Sequence, residues 1–110
     1  ELDADFNKIP GNDKDVVKWS FREGLEGSRL YKIGEYYYIY STYGGWPAFQ
    51  TVFRSKDIYG PYEEKKLIDD DNIHQGALVE TQTGEWWTML FYDKGAYGRF
   101  PNLQPVKWVA

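Results

Sequence analysis

Short runs rich in apolar residues recur along this chain between polar, turn-forming segments. Almost no stretch shows the helical period. The pattern predicts eight strands, at Val16–Arg22, Gly27–Ile33, Tyr36–Thr42, Gln50–Ser55, Tyr62–Ile68, Gly76–Thr81, Trp86–Tyr92 and Val106–Val109. They are rich in aromatic and β-branched residues, and Gly, Pro, Asp and Asn punctuate them. Gly34-Glu35 and Thr83-Gly84 have the composition of hairpin turns. Asp57-Ile58-Tyr59-Gly60-Pro61 reads as a wider turn before a new strand.

The pattern also repeats. EGSRLYKIGEYYYIYS (Glu26–Ser41) is echoed by QGALVETQTGEWWTMLFYD (Gln75–Asp93). Each copy opens with a polar residue and a glycine. Each continues with a short apolar strand, a Gly-Glu turn, and a strand that begins with paired aromatics. Aligning Gly27 with Gly76 gives a period of about 50 residues, which is the length of one four-stranded β-propeller blade. Propellers close with about 4–8 blades. The chain holds one complete unit, about Arg22–Asp69, most of another, and a stub in front. The expected fold is therefore all-β, a partial propeller. Residues 1–21 would end one blade, 22–70 would form the next, and 71–110 would form most of a third. At this point two aromatic hairpins that are alike by chance are the alternative.

Composition narrows the classes. The 110 residues suit one small domain. Ten Tyr, six Phe and five Trp exceed the needs of a small core. Such a surplus fits a β-rich protein and also a surface that stacks on sugar rings. There is no cysteine, so neither a disulfide framework nor a thiolate metal site is available. No apolar run approaches the ~20 residues of a membrane span. The polar start ELDADFNKIPGND has no signal-peptide pattern. A net charge of −4 with scattered Lys and Arg argues against nucleic acid, which wants a clustered basic face.

One acid stands out. Glu26 lies in GLEGSRLYK, with Gly24 and Gly27 on either side. From the residues alone, an exposed Glu in a turn is the default reading. The flanking glycines favour instead a place where something must approach the chain.

Four stretches together resemble glycoside hydrolase family 43. They are EGSRLYKIGEYYYIYS, RSKDIYGPYE, IHQGALVETQTGEWW and GAYGRFPNLQPVKW, in the family's order and spacing, over nearly all of residues 20–110. The first motif usually reads Glu-Gly-Pro, and here Ser28 replaces the Pro. The resemblance implies a five-bladed propeller of four-stranded antiparallel blades, of which this chain supplies about the third and fourth. It implies an inverting hydrolase of hemicellulose-type substrates, β-xylosides and α-L-arabinofuranosides. Glu26 would be its general acid. The general-base Asp and a second, pKa-adjusting Asp would lie on blades outside this chain. The isolated chain is then expected to be inactive, because no carboxylate activates the water. A glycan-binding propeller without catalysis and a Kelch-like interaction scaffold are the competing classes.

An inverting glycosidase needs two carboxyl groups roughly 6.5–9.5 Å apart, so that a water fits beside the anomeric carbon. One must stay protonated at working pH. By match to the family, Glu26 takes that role and the glycines let the sugar come close.

The remaining candidates follow from that match, for Arg99 and His74, or from their place after the second strand of the blade with Glu26. Arg99 would point its planar fork of donors into the sugar pocket; read alone, it is equally a paired surface residue. Trp46 would be a stacking platform at the rim or an inter-blade packing residue. Phe49 and Gln50 would also touch sugar. The single histidine, His74, would reach the propeller axis, where the resemblance allows a structural Ca²⁺ held through water; read alone, it is a hydrogen-bonded structural residue. The chemistry itself requires no cofactor. Trp86-Trp87 and Tyr36-Tyr37-Tyr38 read as inter-blade core, and Asp69-Asp70-Asp71-Asn72 as a solvated junction. The expected partners are a xylan- or arabinan-type saccharide and the remaining blades of the parent chain, with no nucleic acid and no membrane. Polysaccharide substrates imply a secreted or periplasmic protein.

Overall fold

The computed structural model describes residues 2–11, 24–45, 47–68, 70 and 72–109. Two antiparallel sheets make up these residues. The first has the order β1 (Leu25–Ile33), β2 (Tyr36–Tyr43), β3 (Phe49–Ser55) and β4 (Glu63–Lys66). The second has the order β5 (Ile73–Glu80), β6 (Trp86–Asp93) and β7 (Arg99–Val106). Chain order equals sheet order in both, which is the up-and-down meander of a propeller blade. The predicted strand Val16–Arg22 lies outside the described residues.

Local chemistry explains the turns. Ile33 pairs with Tyr36 across Gly34-Glu35, and Gly34 holds φ at 57°, as a two-residue hairpin requires. The β5–β6 connection closes through the Thr81 N–H to Glu85 carbonyl bond (2.8 Å) and the Gly84 N–H to Thr81 carbonyl bond (3.0 Å). At the other end, Asp70 accepts from the Asn72 N–H and, through its carbonyl, from the Ile73 N–H, making the turn that starts β5.

The predicted last strand, Val106–Val109, is displaced: β7 runs from Arg99 to Val106. Pro101 and Pro105 hide it in the sequence. The two lie opposite Phe91 and Trp87, four residues apart and so on the same side of the ladder. β7 is an edge strand, where a proline nitrogen facing outward removes no ladder bond. The residues after it do a different task. Trp108 sits 4.9 Å from the Tyr38 ring and 5.4 Å, edge-on, from Trp86, so it wedges between the two sheets.

The sheets pack with β2 and β3 against β5. Tyr40 and Leu90 are almost fully buried there, with Leu78 and Thr88 beside them. The Tyr40 hydroxyl meets the Thr88 hydroxyl at 2.8 Å, and burial pushes its pKa up. Farther along β1, the Tyr31 hydroxyl accepts from the Leu78 N–H (3.0 Å) and donates to the Leu78 carbonyl (3.2 Å), tying the first strands of the two sheets together.

Each of those first strands carries the same defect. Register shifts fall between Glu26 and Arg29 in β1 and between His74 and Ala77 in β5. Gly27 takes φ 63° and Gln75 takes φ 57°. Both are bulges whose first extra residue is left-handed. The repeat therefore aligns Gly27 with Gln75 and Glu26 with His74, one residue away from the alignment of glycines. Glycine is the default at such a position. Gln75 tolerates it because its N–H donates to Thr42 Oγ1 at 2.8 Å. Its side-chain oxygen also fills the space that a Cβ on Gly27 would occupy.

Candidate active site

Glu26 is the second residue of β1, just before the bulge, and its ladder partner on β2 is Thr42. Its side chain is exposed and accepts no hydrogen bond among the described residues. The carboxyl lies over Gly44, in the volume that a Cβ on residue 44 would need. The Gly44 N–H bonds the Gly24 carbonyl at 2.8 Å, so the segment under the acid is closed on the strand that carries it. The carbonyl of Glu26 accepts from Ser41 Oγ (3.0 Å), which also meets Ser28 Oγ (2.7 Å). Ser28, the departure from the family's proline, thus makes a polar contact beneath the acid that proline cannot make.

A buried network fixes the neighbouring bulge against this strand. Gln50 Oε1 accepts from Thr42 Oγ1 and from the Gly76 N–H, both at 2.8 Å. Gln50 Nε2 donates to the Ser41 carbonyl at 2.6 Å. Gln50 has 0% exposure, as do Ser41 and Thr51. The expectation that Gln50 and Phe49 contact sugar is therefore corrected. The Gln50 amide is committed to joining the sheets. Phe49 is buried against Tyr43 (ring centroids 4.9 Å apart) with Lys66 Nζ over its face at 4.7 Å. Trp46 lies outside the described residues.

His74 is the second residue of β5 and is buried, with 6% exposure. Its Nε2 stands 2.8 Å from Asp93 Oδ2, and Asp93 Oδ1 receives Arg99 Nε at 3.0 Å. A carboxylate only accepts, so Nε2 carries the proton in neutral His74 and Nδ1 is a bare acceptor. That Nδ1 is buried without a partner. It fits a water's O–H. It does not fit direct Ca²⁺ coordination, which takes six to eight oxygens. Among the described residues, no three His, Asp or Glu side chains are grouped to hold a metal.

Glu26, Thr42, Gln75, His74, Asp93 and Arg99 thus form one continuous set, where the starts of β1, β5 and β7 meet the ends of β2 and β6. The sequence reading missed Asp93, whose only signal was its place in the repeat after a strand of aromatics. A cleft of about 1390 Å³ between the sheets is lined by Tyr38, Tyr92, Phe100 and Trp108 among others, but not by Glu26.

The hydrogen bond from His74, with the bond and charge of Arg99, holds the Asp93 carboxyl below the ordinary Asp value against partial desolvation. A depressed carboxyl stabilises the fold above its ordinary pKa and loses that contribution as pH falls through its folded pKa. Stability is therefore expected to fall as the solution is acidified below about pH 4. Asp93→Asn should show a shallower acid-side loss in urea midpoints taken from pH 6 downward; identical slopes would refute the coupling.

Comparison with known proteins identifies the family. The profile of glycosyl hydrolases family 43 matches residues 1–110. A xylan 1,3-beta-xylosidase from a Vibrio species is 38% identical, over 98% of this chain and 26% of that protein. A non-reducing end alpha-L-arabinofuranosidase from Bacteroides ovatus is 32% identical, over 77% of this chain and 20% of that protein. The solved structure of a bifunctional GH43-CE protein from Bacteroides eggerthii superposes with a TM-score of 0.79 at 35% identity, over 98% of this chain and 15% of that one. The chain spans about a quarter or less of the length of these relatives. With the meander topology, the paired bulges and this match from end to end, the chain belongs to glycosyl hydrolases family 43, and its two sheets are part of a β-propeller.

Proposed function

We propose that this chain forms the general-acid side of an inverting glycoside hydrolase acting on β-xylosides or α-L-arabinofuranosides of hemicellulose. The observation that carries the reading is the Glu26 carboxyl. It is exposed at the start of a first strand, unbonded among the described residues, and seated over a glycine that leaves it room. The xylosidase and arabinofuranosidase names of the relatives support the substrate class.

In this reading Glu26 donates its proton to the glycosidic oxygen as the bond breaks. An Asp on another blade activates water on the opposite face of the ring, and the anomeric configuration inverts. Arg99 offers donors to sugar hydroxyls, and Trp46 provides a stacking face. A structural Ca²⁺, where present, is held through water at His74 Nδ1. Polysaccharide substrates of this class support a secreted or periplasmic location.

Glu26→Gln in the full-length gene product tests the reading. General acid catalysis supplies about 10²–10⁴-fold. Turnover of xylosides with poor leaving groups is expected to fall by about 10³-fold, and turnover of nitrophenyl glycosides by much less, since a good leaving group needs little protonation. Equal rates for wild type and variant on poor leaving groups would remove Glu26 from the mechanism.

A further inference from the structure

We propose that Asp93 is a positioning residue that fixes the Arg99 guanidinium so that its free donors meet a pair of hydroxyls on the bound sugar; the inference rests on the functional reading above. Asp93 and Arg99 are direct ladder partners, the last residue of β6 and the first of β7. Asp93 Oδ1 takes only the Nε–H of Arg99, at 3.0 Å. An arginine has five N–H donors in a rigid fork. The four on the Nη atoms have no hydrogen bond among the described residues, and the side chain is 62% exposed.

The other oxygen of Asp93 explains why this holds Arg99 still. Oδ2 is anchored by Nε2 of His74, which is buried in the first strand of the sheet. His74 is fixed in turn beside the bulge whose Gln75 and Gly76 N–H groups bond Thr42 and Gln50. The backbone holds Asp93 on both sides: its N–H bonds the Asn72 carbonyl just before β5 (3.1 Å), and the Lys94 N–H bonds the Gly98 carbonyl in the turn to β7 (2.9 Å). The carboxylate therefore has a fixed place relative to Thr42, the ladder partner of Glu26.

Stability alone does not account for such a pair. Exposed ion pairs contribute little to folding. Orientation does account for it. An unpinned arginine samples many rotamers and must order on binding, whereas a guanidinium held by Nε presents both Nη groups outward in one plane. Two oxygens of a vicinal diol match that edge.

A double-mutant cycle in the full-length gene product, on xyloside and arabinofuranoside substrates, tests the role. Arg99→Ala is expected to lower kcat/KM about 100-fold. Asp93→Ala is expected to raise KM about tenfold with kcat within about threefold, since ordering one long side chain is worth about that factor. The double variant should be no worse than Arg99→Ala alone. Asp93→Asn keeps an acceptor for Nε and is expected to restore KM to within about threefold of wild type; it also serves if the alanine variant fails to fold. Multiplying losses in the double variant, or a KM untouched by Asp93→Ala, would overturn the role of Asp93 while leaving the hydrolase reading intact. A wild-type protein without glycoside turnover would overturn both.

Discussion

Replacing Gly44 with alanine is expected to lower glycoside turnover by about two orders of magnitude while the fold remains intact. The added Cβ would occupy the position of the Glu26 carboxyl. The Gly44 backbone lies outside the left-handed region, so alanine fits the main chain without strain. The three atoms nearest to that Cβ all belong to the Glu26 side chain. What must give way is the far end of a flexible Glu, and it gives way cheaply in stability. Catalysis does not tolerate that shift: displacing a reacting group by about 1 Å can cost about 10²-fold. Measuring kcat beside thermal melting separates the two effects. A Gly44→Ala protein that melts normally and turns over normally would show that the acid works from more than one position.

Gln50→Leu should do the reverse, striking stability first. Leucine matches the buried volume but leaves the Gly76 N–H without its acceptor and the Ser41 carbonyl without its amide donor. It also takes the acceptor from the Thr42 hydroxyl. Each unsatisfied buried polar group costs about 1–3 kcal/mol. A loss of about 3 kcal/mol or more is expected, read as a lower urea midpoint at unchanged slope. Activity should fall as well, because Thr42 is the ladder partner of Glu26 and receives the Gln75 N–H. A shift below about 1 kcal/mol would mean that water or a rearranged hydroxyl replaces the amide.

The strands of the first sheet were legible because aromatic and β-branched residues are concentrated there and glycine marks the turns. Tyr36–Tyr43 and Phe49–Ser55 differ from their predicted spans only at the ends. Two features resisted. Pro101 and Pro105 read as loop because a sequence does not state which strand will be an edge. The alignment of Gly27 with Gly76 followed residue type, whereas the backbone aligns left-handed positions, and Gln75 holds one of them. The same blindness affected the site. Gln50, expected to touch sugar, instead serves buried carbonyl and amide groups that only the packed sheets bring together. Asp93 escaped notice because its meaning depends on two partners, His74 and Arg99, that are distant from each other along the chain.

The shared bulge has an evolutionary consequence. The same kink, with the same left-handed turn of the backbone, presents a carboxyl at residue 26 and an imidazole at residue 74. Two copies of one backbone device thus offer equivalent positions, and the residue type at each decides whether it bears an acid or an imidazole. Catalytic function on such a scaffold can be gained, lost or moved from one copy to another while the framework itself stays unchanged.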